Sequence, residues 1–161
     1  MRCLVHVFAE IRHSGTRSSF VIMISKKIIS LYGAESQEIG EKREIQDGPL
    51  YDKDHVLRLL DEEEIVVWTR KCLRDLQRWE IDLEDVAGLI KTALDKGTFL
   101  GSQWCEQKRN GPWAACDAYR IFRSEWSHVA HKKILVEYYV KFAINRKGRL
   151  LLVISCHPSG Y

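Results

Sequence analysis

The carboxyl-terminal end of the chain most constrains the fold, because it holds two strand-like runs joined by a short connection. The run "ILVEYYVKFAI" (134–144) is rich in β-branched and aromatic residues, and the run "RLLLVIS" (149–155) is almost entirely apolar. Such residues favour β-strands, and the connection "NRKG" (145–148), which ends in glycine, is typical of a hairpin. The sequence therefore predicts an antiparallel β-hairpin at this end.

Helical patterns come before these strands. The segment "DKDHVLRLLDEE" (52–63) predicts a short helix with Asp52 or Asp54 as its N-cap. A third helix is predicted to begin after Asp82, which is a good N-cap, and to end at Gly97. Between them, an apolar stripe at near-helical spacing predicts a second helix; it is formed by Ile65, Trp68, Cys72, Leu76 and Trp79.

After Gly97 the pattern changes to runs that are typical of strands. "TFLGSQW" (98–104) and "WAACDAYRIF" (113–122) are separated by "RNGP" (109–112), whose Asn, Gly and Pro favour a turn. Helices followed by hairpin-connected strands predict an α+β fold, with the N-terminal helices packed on one face of a mainly antiparallel sheet.

Composition limits the classes of protein that fit. The 161 residues are enough for one domain with a substantial core, and the net charge of +3 is compatible with nucleic acid without establishing it. No apolar run approaches the roughly 20 residues that span a bilayer, so we expect no membrane partner. The five cysteines form no CxxC pair, which indicates free thiols and a cytoplasmic location.

The first part of the chain is predicted to differ from the rest. Residues 33–49 are polar and punctuated by glycine, which is typical of a linker or disordered arm. We therefore predict an N-terminal extension over residues 1–48, partly disordered or loosely attached, and a compact domain over residues 49–161.

Strand alternation groups the polar residues of the second half. Tyr139 and Lys141 are two positions apart and share one face of their strand. By the same rule Asp117 and Tyr119 share a face, whereas Arg120 lies on the opposite one. The alternation alone does not show which faces of different strands meet.

Two of these residues have an ordinary and a functional interpretation. Lys141 is either a solvated side chain on a wet sheet face or a phosphate-binding cation beside Tyr139. His157, at a strand end before Pro158, is either a surface or capping histidine or a general acid or base.

The cysteines also allow three interpretations, of which a Cys–His hydrolase is the least favoured because Cys116 falls in a predicted strand and not at a helix N-terminus. Cys116 and Cys156 are most simply buried small hydrophobic side chains. A zinc site would have to collect Cys105, Cys116, Cys156 and His157. We disfavour it because adjacent side chains diverge in a strand and zinc ligands usually come in pairs on short loops.

Six segments between Leu50 and His157 follow one another in a recognisable order. They are "DHVLRLLDEEEIVVWTRKC", "IDLEDVAGLIKTAL", "FLGS", "CDAYR", "EYYVKFAI" and "LLLVISCH". In this order they resemble the motility quorum-sensing regulator (MqsR) toxin family of bacterial toxin–antitoxin systems. Residues 1–48 lie outside the resemblance.

The resemblance implies a RelE-like toxin fold and an endoribonuclease that acts on messenger RNA and is held inactive by a cognate antitoxin protein. In metal-free RNA cleavage a 2′-hydroxyl attacks the neighbouring phosphate, which requires a base, a cation and a proton for the leaving oxygen. No metal ion and no cofactor are therefore expected. Single-stranded RNA also favours aromatic and basic contacts.

The family's motifs map onto this sequence residue by residue, with departures. The Tyr-x-Lys strand falls on Tyr139 and Lys141, and Asp-x-Tyr falls on Asp117 and Tyr119. Three positions differ: a family lysine is replaced by Gly101, a glutamine by Cys116, and the C-terminal functional lysine by His157.

The resemblance and these departures together define the predicted site. The predicted catalytic residues are His157, Lys141, Tyr139 and Tyr119, and the predicted RNA-binding residues are Arg120, Arg123, Asp117 and Ser102. Glu125 is a second candidate base if it faces the same cleft. Because of the lysine missing at Gly101, a catalytically inactive module that binds RNA or an antitoxin remains the alternative function.

Overall fold

The structure, a computed structural model, describes residues 26–33, 39 and 42–160. These residues form three helices, α1 (Lys53–Asp61), α2 (Arg70–Arg78) and α3 (Leu83–Lys96). They also form six strands: β1 (Glu44–Ile45), β2 (Ile65–Val67), β3 (Thr98–Glu106), β4 (Trp113–Ser127), β5 (Lys132–Ile144) and β6 (Leu151–Pro158).

The strands make one sheet in the order β1-β3-β4-β5-β6-β2. All neighbours are antiparallel except β2 and β6, which are parallel. The fold is thus α+β, with three helices packed on a mostly antiparallel mixed sheet, as the order of sequence patterns predicts. The predicted C-terminal hairpin is confirmed as β5 and β6.

The predicted starts of two helices are confirmed by their caps. The Asp52 carboxylate accepts a hydrogen bond from the His55 backbone N–H, and the Asp82 carboxylate accepts one from Asp85. Gly97 ends α3, and its N–H donates to the Ala93 carbonyl. These bonds satisfy backbone groups that the helix itself leaves without partners.

The predicted second helix is partly wrong. Only Arg70–Arg78 is helical, whereas Ile65 lies in β2, which pairs with Leu151 of β6. Thr69 separates the two elements as the N-cap of α2, with its hydroxyl accepting from the Cys72 N–H. The apolar stripe therefore crosses a strand, a cap and a short helix.

The two faces of the sheet have different surroundings. Pairing between β4 and β5 is uninterrupted from Asp117 to Ser127, so their side chains alternate strictly between faces. We call the helix-covered side the helix face; it carries Asp117, Tyr119, Ile121, Arg123 and Tyr138. We call the other side the open face; it carries Ala118, Arg120, Phe122, Tyr139 and Lys141.

The sheet curls at one end of the open face. The Gln107 side-chain amide, just after β3, donates to the Trp68 carbonyl, just after β2, at 2.8 Å. Because β3 and β2 lie on opposite sides of the sheet order, this bond requires the sheet to curve. The curvature explains why Cys116 and Ala143 of this face are fully buried.

The described part of the predicted N-terminal extension is hydrogen-bonded to the sheet. The Ile29 N–H donates to the Trp113 carbonyl, and the Leu31 N–H donates to Ile144. The hydroxyl of Ser30, which is fully buried, accepts from the Ala115 N–H. Residues 1–25, 34–38 and 40–41 lie outside the described residues, so the predicted disorder of residues 1–48 stays a prediction there.

A membrane-spanning helix would need a long apolar segment. Within the described ranges, no helix is long and apolar enough to cross a bilayer.

Candidate functional site

Two rows of directly paired residues cross the open face and bring the candidate side chains together. One row is Thr98, Arg120, Tyr139 and His157, and the next is Gly101, Ala118, Lys141 and Ser155. Directly paired residues project to the same side of an antiparallel sheet. A guanidinium, a phenol, an imidazole and an ammonium group are therefore neighbours on one surface.

Lys141 is the most enclosed of these groups, with only 8% of its surface exposed. Its ammonium nitrogen lies 5.4 Å from the centre of the Tyr139 ring, within the range of a cation–π contact. Burial acts to lower the pKa of Lys141, but the Cys105 and Tyr139 side chains outweigh it and hold that pKa above its usual value. Lys141 is thus a cation at neutral pH.

His157 has a defined tautomer when it is neutral. Its Nδ1 atom lies 2.9 Å from the Pro158 carbonyl oxygen, which can only accept a hydrogen bond. Nδ1 must therefore carry the proton, and Nε2 has a free lone pair. The imidazole ring lies 5.6 Å from the Tyr139 ring, so the base-competent nitrogen belongs to the same cluster.

The row that contains Lys141 has small residues on β3 and β4. Gly101 and Ala118 present little or no side chain, and a Cβ atom added at Gly101 would meet no heavy atom within 4 Å. Gly101 also has a φ of +135°, which side-chain-bearing residues rarely adopt. The open face therefore has free space at Gly101, two strands away from Lys141 in the same row, where a ligand can approach the sheet.

The predicted site residues Asp117 and Ser102 lie on the helix face, away from this cluster. Asp117 is 1% exposed and accepts hydrogen bonds from the Ser102 hydroxyl at 2.6 Å and the Leu50 N–H at 2.9 Å. Burial raises the pKa of Asp117, and these hydrogen bonds oppose the rise. The two residues hold the segment that leads into α1.

Tyr119 is packed in the core of the helix face. Its ring stacks on Phe142 with centres 5.8 Å apart, and Phe99 meets it edge-on at 5.4 Å. Burial, followed by the charge of Asp117, raises the pKa of Tyr119 to about 12. The sheet separates it from Lys141 and His157.

Arg123 and Glu125 also lie on the helix face. The Arg123 guanidinium binds Asp85 of α3 at 3.1 Å and Glu125 at 2.7 Å. Glu125 also accepts from the Tyr138 hydroxyl. The structure therefore brings four of the eight predicted site residues into one cluster, namely Lys141, His157, Tyr139 and Arg120, and places the other four on the opposite face.

Cys105 is a further residue at the edge of the cluster, which sequence reasoning considered only as a zinc ligand. A hydrogen bond from Cys116 lowers the pKa of the Cys105 thiol to about 7, burial opposes this change, and the charge of Lys141 supports it. Cys116 is fully buried, and burial raises its pKa. Only the register between strands brings Cys105, Cys116 and Lys141 together, so no sequence motif could have predicted that they are neighbours.

The geometry of the described residues does not support the zinc alternative. Among the described residues, no three or more His, Cys, Asp and Glu side chains lie close enough together to hold a metal ion. Cys156 pairs with Val140 and lies on the helix face, whereas His157 lies on the open face. Burial raises the pKa of Cys156 to about 12, as for a packed thiol.

The fold and the cluster define an α+β protein with cationic, imidazole and phenol groups on one exposed sheet face. Comparisons with protein-family models, with curated proteins and with solved structures found no match to this chain.

Proposed function

We propose that this protein is a metal-independent endoribonuclease toxin of the MqsR family, with a RelE-like fold, that cleaves messenger RNA and is inhibited by a cognate antitoxin. The observation that carries the proposal is the meeting of Lys141, Tyr139 and His157 at adjoining positions of the open face. These groups supply the base, the cation and the second proton carrier that cleavage of a phosphodiester requires.

In the proposed reaction, His157 begins the chemistry. Its free Nε2 atom takes the proton of a ribose 2′-hydroxyl, and the resulting oxygen attacks the adjacent phosphorus. The bond to the 5′-oxygen breaks, which leaves a 2′,3′-cyclic phosphate on one fragment. A positioned base of this kind contributes about 10² to 10⁴-fold to the rate.

Lys141 and Tyr139 complete the reaction. The Lys141 ammonium stabilises the negative charge that develops on the phosphate oxygens, and its partial burial strengthens that interaction. We assign to Tyr139 the proton that the leaving 5′-oxygen receives. Arg120, in the same row as Tyr139 and His157, binds a neighbouring phosphate.

In this proposal, the predicted site residues that lie on the helix face support the fold around the site and do not contact RNA. Tyr119 packs against Phe142 directly beneath the strand that carries Lys141. Asp117 and Ser102 hold the segment before α1, and Arg123 ties β4 to α3. Substitutions here would act through stability and strand position.

The space at Gly101 supports a second function. The proposed relatives carry a lysine where this chain has an open position with no side chain. A chain that lost this cation but kept Lys141 and Arg120 would bind RNA, or an antitoxin, without cleaving it.

Expression of single variants in a bacterial host tests the proposal. The parent chain should inhibit growth, and His157→Ala and Lys141→Ala should each relieve the inhibition because each removes one reacting group. Lys53→Ala is the matched control, since Lys53 is an exposed lysine on α1. The assignment is wrong if both site variants inhibit growth as strongly as the parent.

A further inference from the structure

The strands β4 and β5 extend beyond their neighbours. Pairing of β3 with β4 begins at Arg120, and pairing of β6 with β5 begins at Tyr138. Beyond these points, residues 121–136 form a two-stranded hairpin arm, which within the described part of the chain is joined to the rest of the sheet only through its base. The arm continues the open face away from Lys141.

The open face of the hairpin arm exposes large apolar side chains. Phe122 is 48% exposed, Trp126 is 55% exposed and Leu135 is 68% exposed. All three share the face of Arg120 because the β4–β5 register is uninterrupted. A grouping of exposed aromatic and aliphatic residues on one side of an arm is typical of a binding surface.

Charge on this face favours a polyanion as the ligand. Among the described residues of β4 and β5, the open face carries three cations, Arg120, Lys133 and Lys141, and one acid, Glu137. The acids Asp85 and Glu125 bind Arg123 on the other face. On this face Phe122 follows Arg120 along β4, and Trp126 is paired with Lys133 of β5.

We propose that the open face of the hairpin arm binds the single-stranded RNA that flanks the cleaved bond, with Phe122 and Trp126 stacking on bases and Arg120 and Lys133 contacting phosphates. This inference rests on the proposed function, because the arm leads directly to Lys141 and His157. Stacking on aromatic side chains requires unpaired bases, so the surface should prefer single strands to duplexes. Trp126 lies six positions after Arg120, about 20 Å along the strand, which spans several nucleotides.

Binding measured apart from cleavage tests the inference. Fluorescently labelled single-stranded RNA is titrated with the His157→Ala protein by fluorescence anisotropy, with the same RNA in a duplex as comparison. Adding Phe122→Ala or Trp126→Ala should weaken single-strand binding about tenfold each, and Trp126→Phe should retain most of it. Adding Lys133→Ala should lower the salt dependence of binding.

Exposed leucines on the helices provide matched controls. Leu73 and Leu83 are 46% and 48% exposed, close to the values for the two aromatic residues. Leu73→Ala and Leu83→Ala should bind RNA as the His157→Ala protein does. Circular dichroism of every variant checks that the fold is retained.

The outcomes separate this inference from the proposed function. If the parent cleaves RNA but Phe122→Ala and Trp126→Ala leave binding unchanged, the inference is overturned and the proposed function stands. If the variants weaken binding but the parent cleaves no RNA, the inference holds for a binding module. If neither parent nor His157→Ala binds RNA, both proposals fall. If the Phe122→Ala and Trp126→Ala variants bind RNA as before but no longer bind the purified antitoxin, the arm is a protein-docking surface instead.

Discussion

Lys141 and Cys105 influence each other across the open face. The lysine supports ionisation of the thiol, and the thiol in turn helps to keep the lysine charged although it is 8% exposed. The folded pKa of Cys105 lies below its ordinary value, so ionisation of this thiol stabilises the folded protein at alkaline pH. That contribution is lost as the pH falls through about 7.

The reactivity of Cys105 is a direct check on this arrangement. Alkylation by iodoacetamide, followed by mass spectrometry, should show Cys105 reacting with a midpoint near pH 7, because the thiolate is the nucleophile. Cys72, Cys116 and Cys156 are fully buried and should be protected in the folded protein.

Two variants serve as controls for this experiment. Lys141→Gln removes the positive charge and should move the midpoint to higher pH, whereas Lys53→Gln should leave it unchanged. A Cys105 that reacts no faster at pH 8 than the buried cysteines would contradict the arrangement.

At the residue scale, the sequence predicted which residues of one strand share a face, but not which faces of different strands lie together. Alternation along a strand places Tyr139 with Lys141, and Asp117 with Tyr119, and both pairings hold. Which pair faces the helices depends on the register between strands. For that reason, only the structure shows that His157 lies beside Tyr139 and on the opposite face of the sheet from Tyr119.

Sequence patterns misassigned the segment that contains β2 and α2, because they predicted a single helix there. Ile65 and Trp68 fit the helical stripe by spacing alone, yet Ile65 pairs with β6 and the Trp68 N–H donates to the Val153 carbonyl. A long-range strand partner overrides local periodicity here. The local signal that was present, a threonine at position 69, marks the start of α2.

The cap at Thr69 predicts a stability effect with a matched control. Its hydroxyl accepts from the Cys72 N–H at 3.1 Å and donates to the Ile154 carbonyl at 3.0 Å. Thr69→Ala should lower the free energy of unfolding by about 1–2 kcal/mol because it removes both bonds, and Thr69→Ser should cost much less. Urea denaturation measures the difference. Equal losses for the two variants would contradict a role for the hydroxyl.

At the scale of the whole molecule, the curled sheet positions the site. The curvature buries Cys116 on the open face but leaves the neighbouring Gly101 position unobstructed. The bond from Gln107 to Trp68 joins parts of the chain that are 39 residues apart, so no local pattern predicts it. The order in which α1 and α3 are followed by the strands β3 to β6, by contrast, depends on local signals, and the sequence predicts it.

Local sequence patterns also do not predict how the segment before α1 pairs with the sheet. Residues 26–33 lie within the predicted N-terminal extension, and they form isolated bridges, from Ile28 to Trp113 and from Ser30 to Asn145. β1 lies within the stretch predicted as linker and pairs with Ser102 and Gln103. Strands this short have no periodicity that a sequence can display.

The most direct test of the central claim is cleavage of RNA by the purified protein. A single-stranded messenger RNA is incubated with the parent chain, with and without EDTA, and the fragment ends are analysed. We expect cleavage that survives EDTA, yields 2′,3′-cyclic phosphate ends and is reduced at least 10²-fold by His157→Ala. Binding without cleavage, or cleavage that EDTA abolishes, would contradict the account.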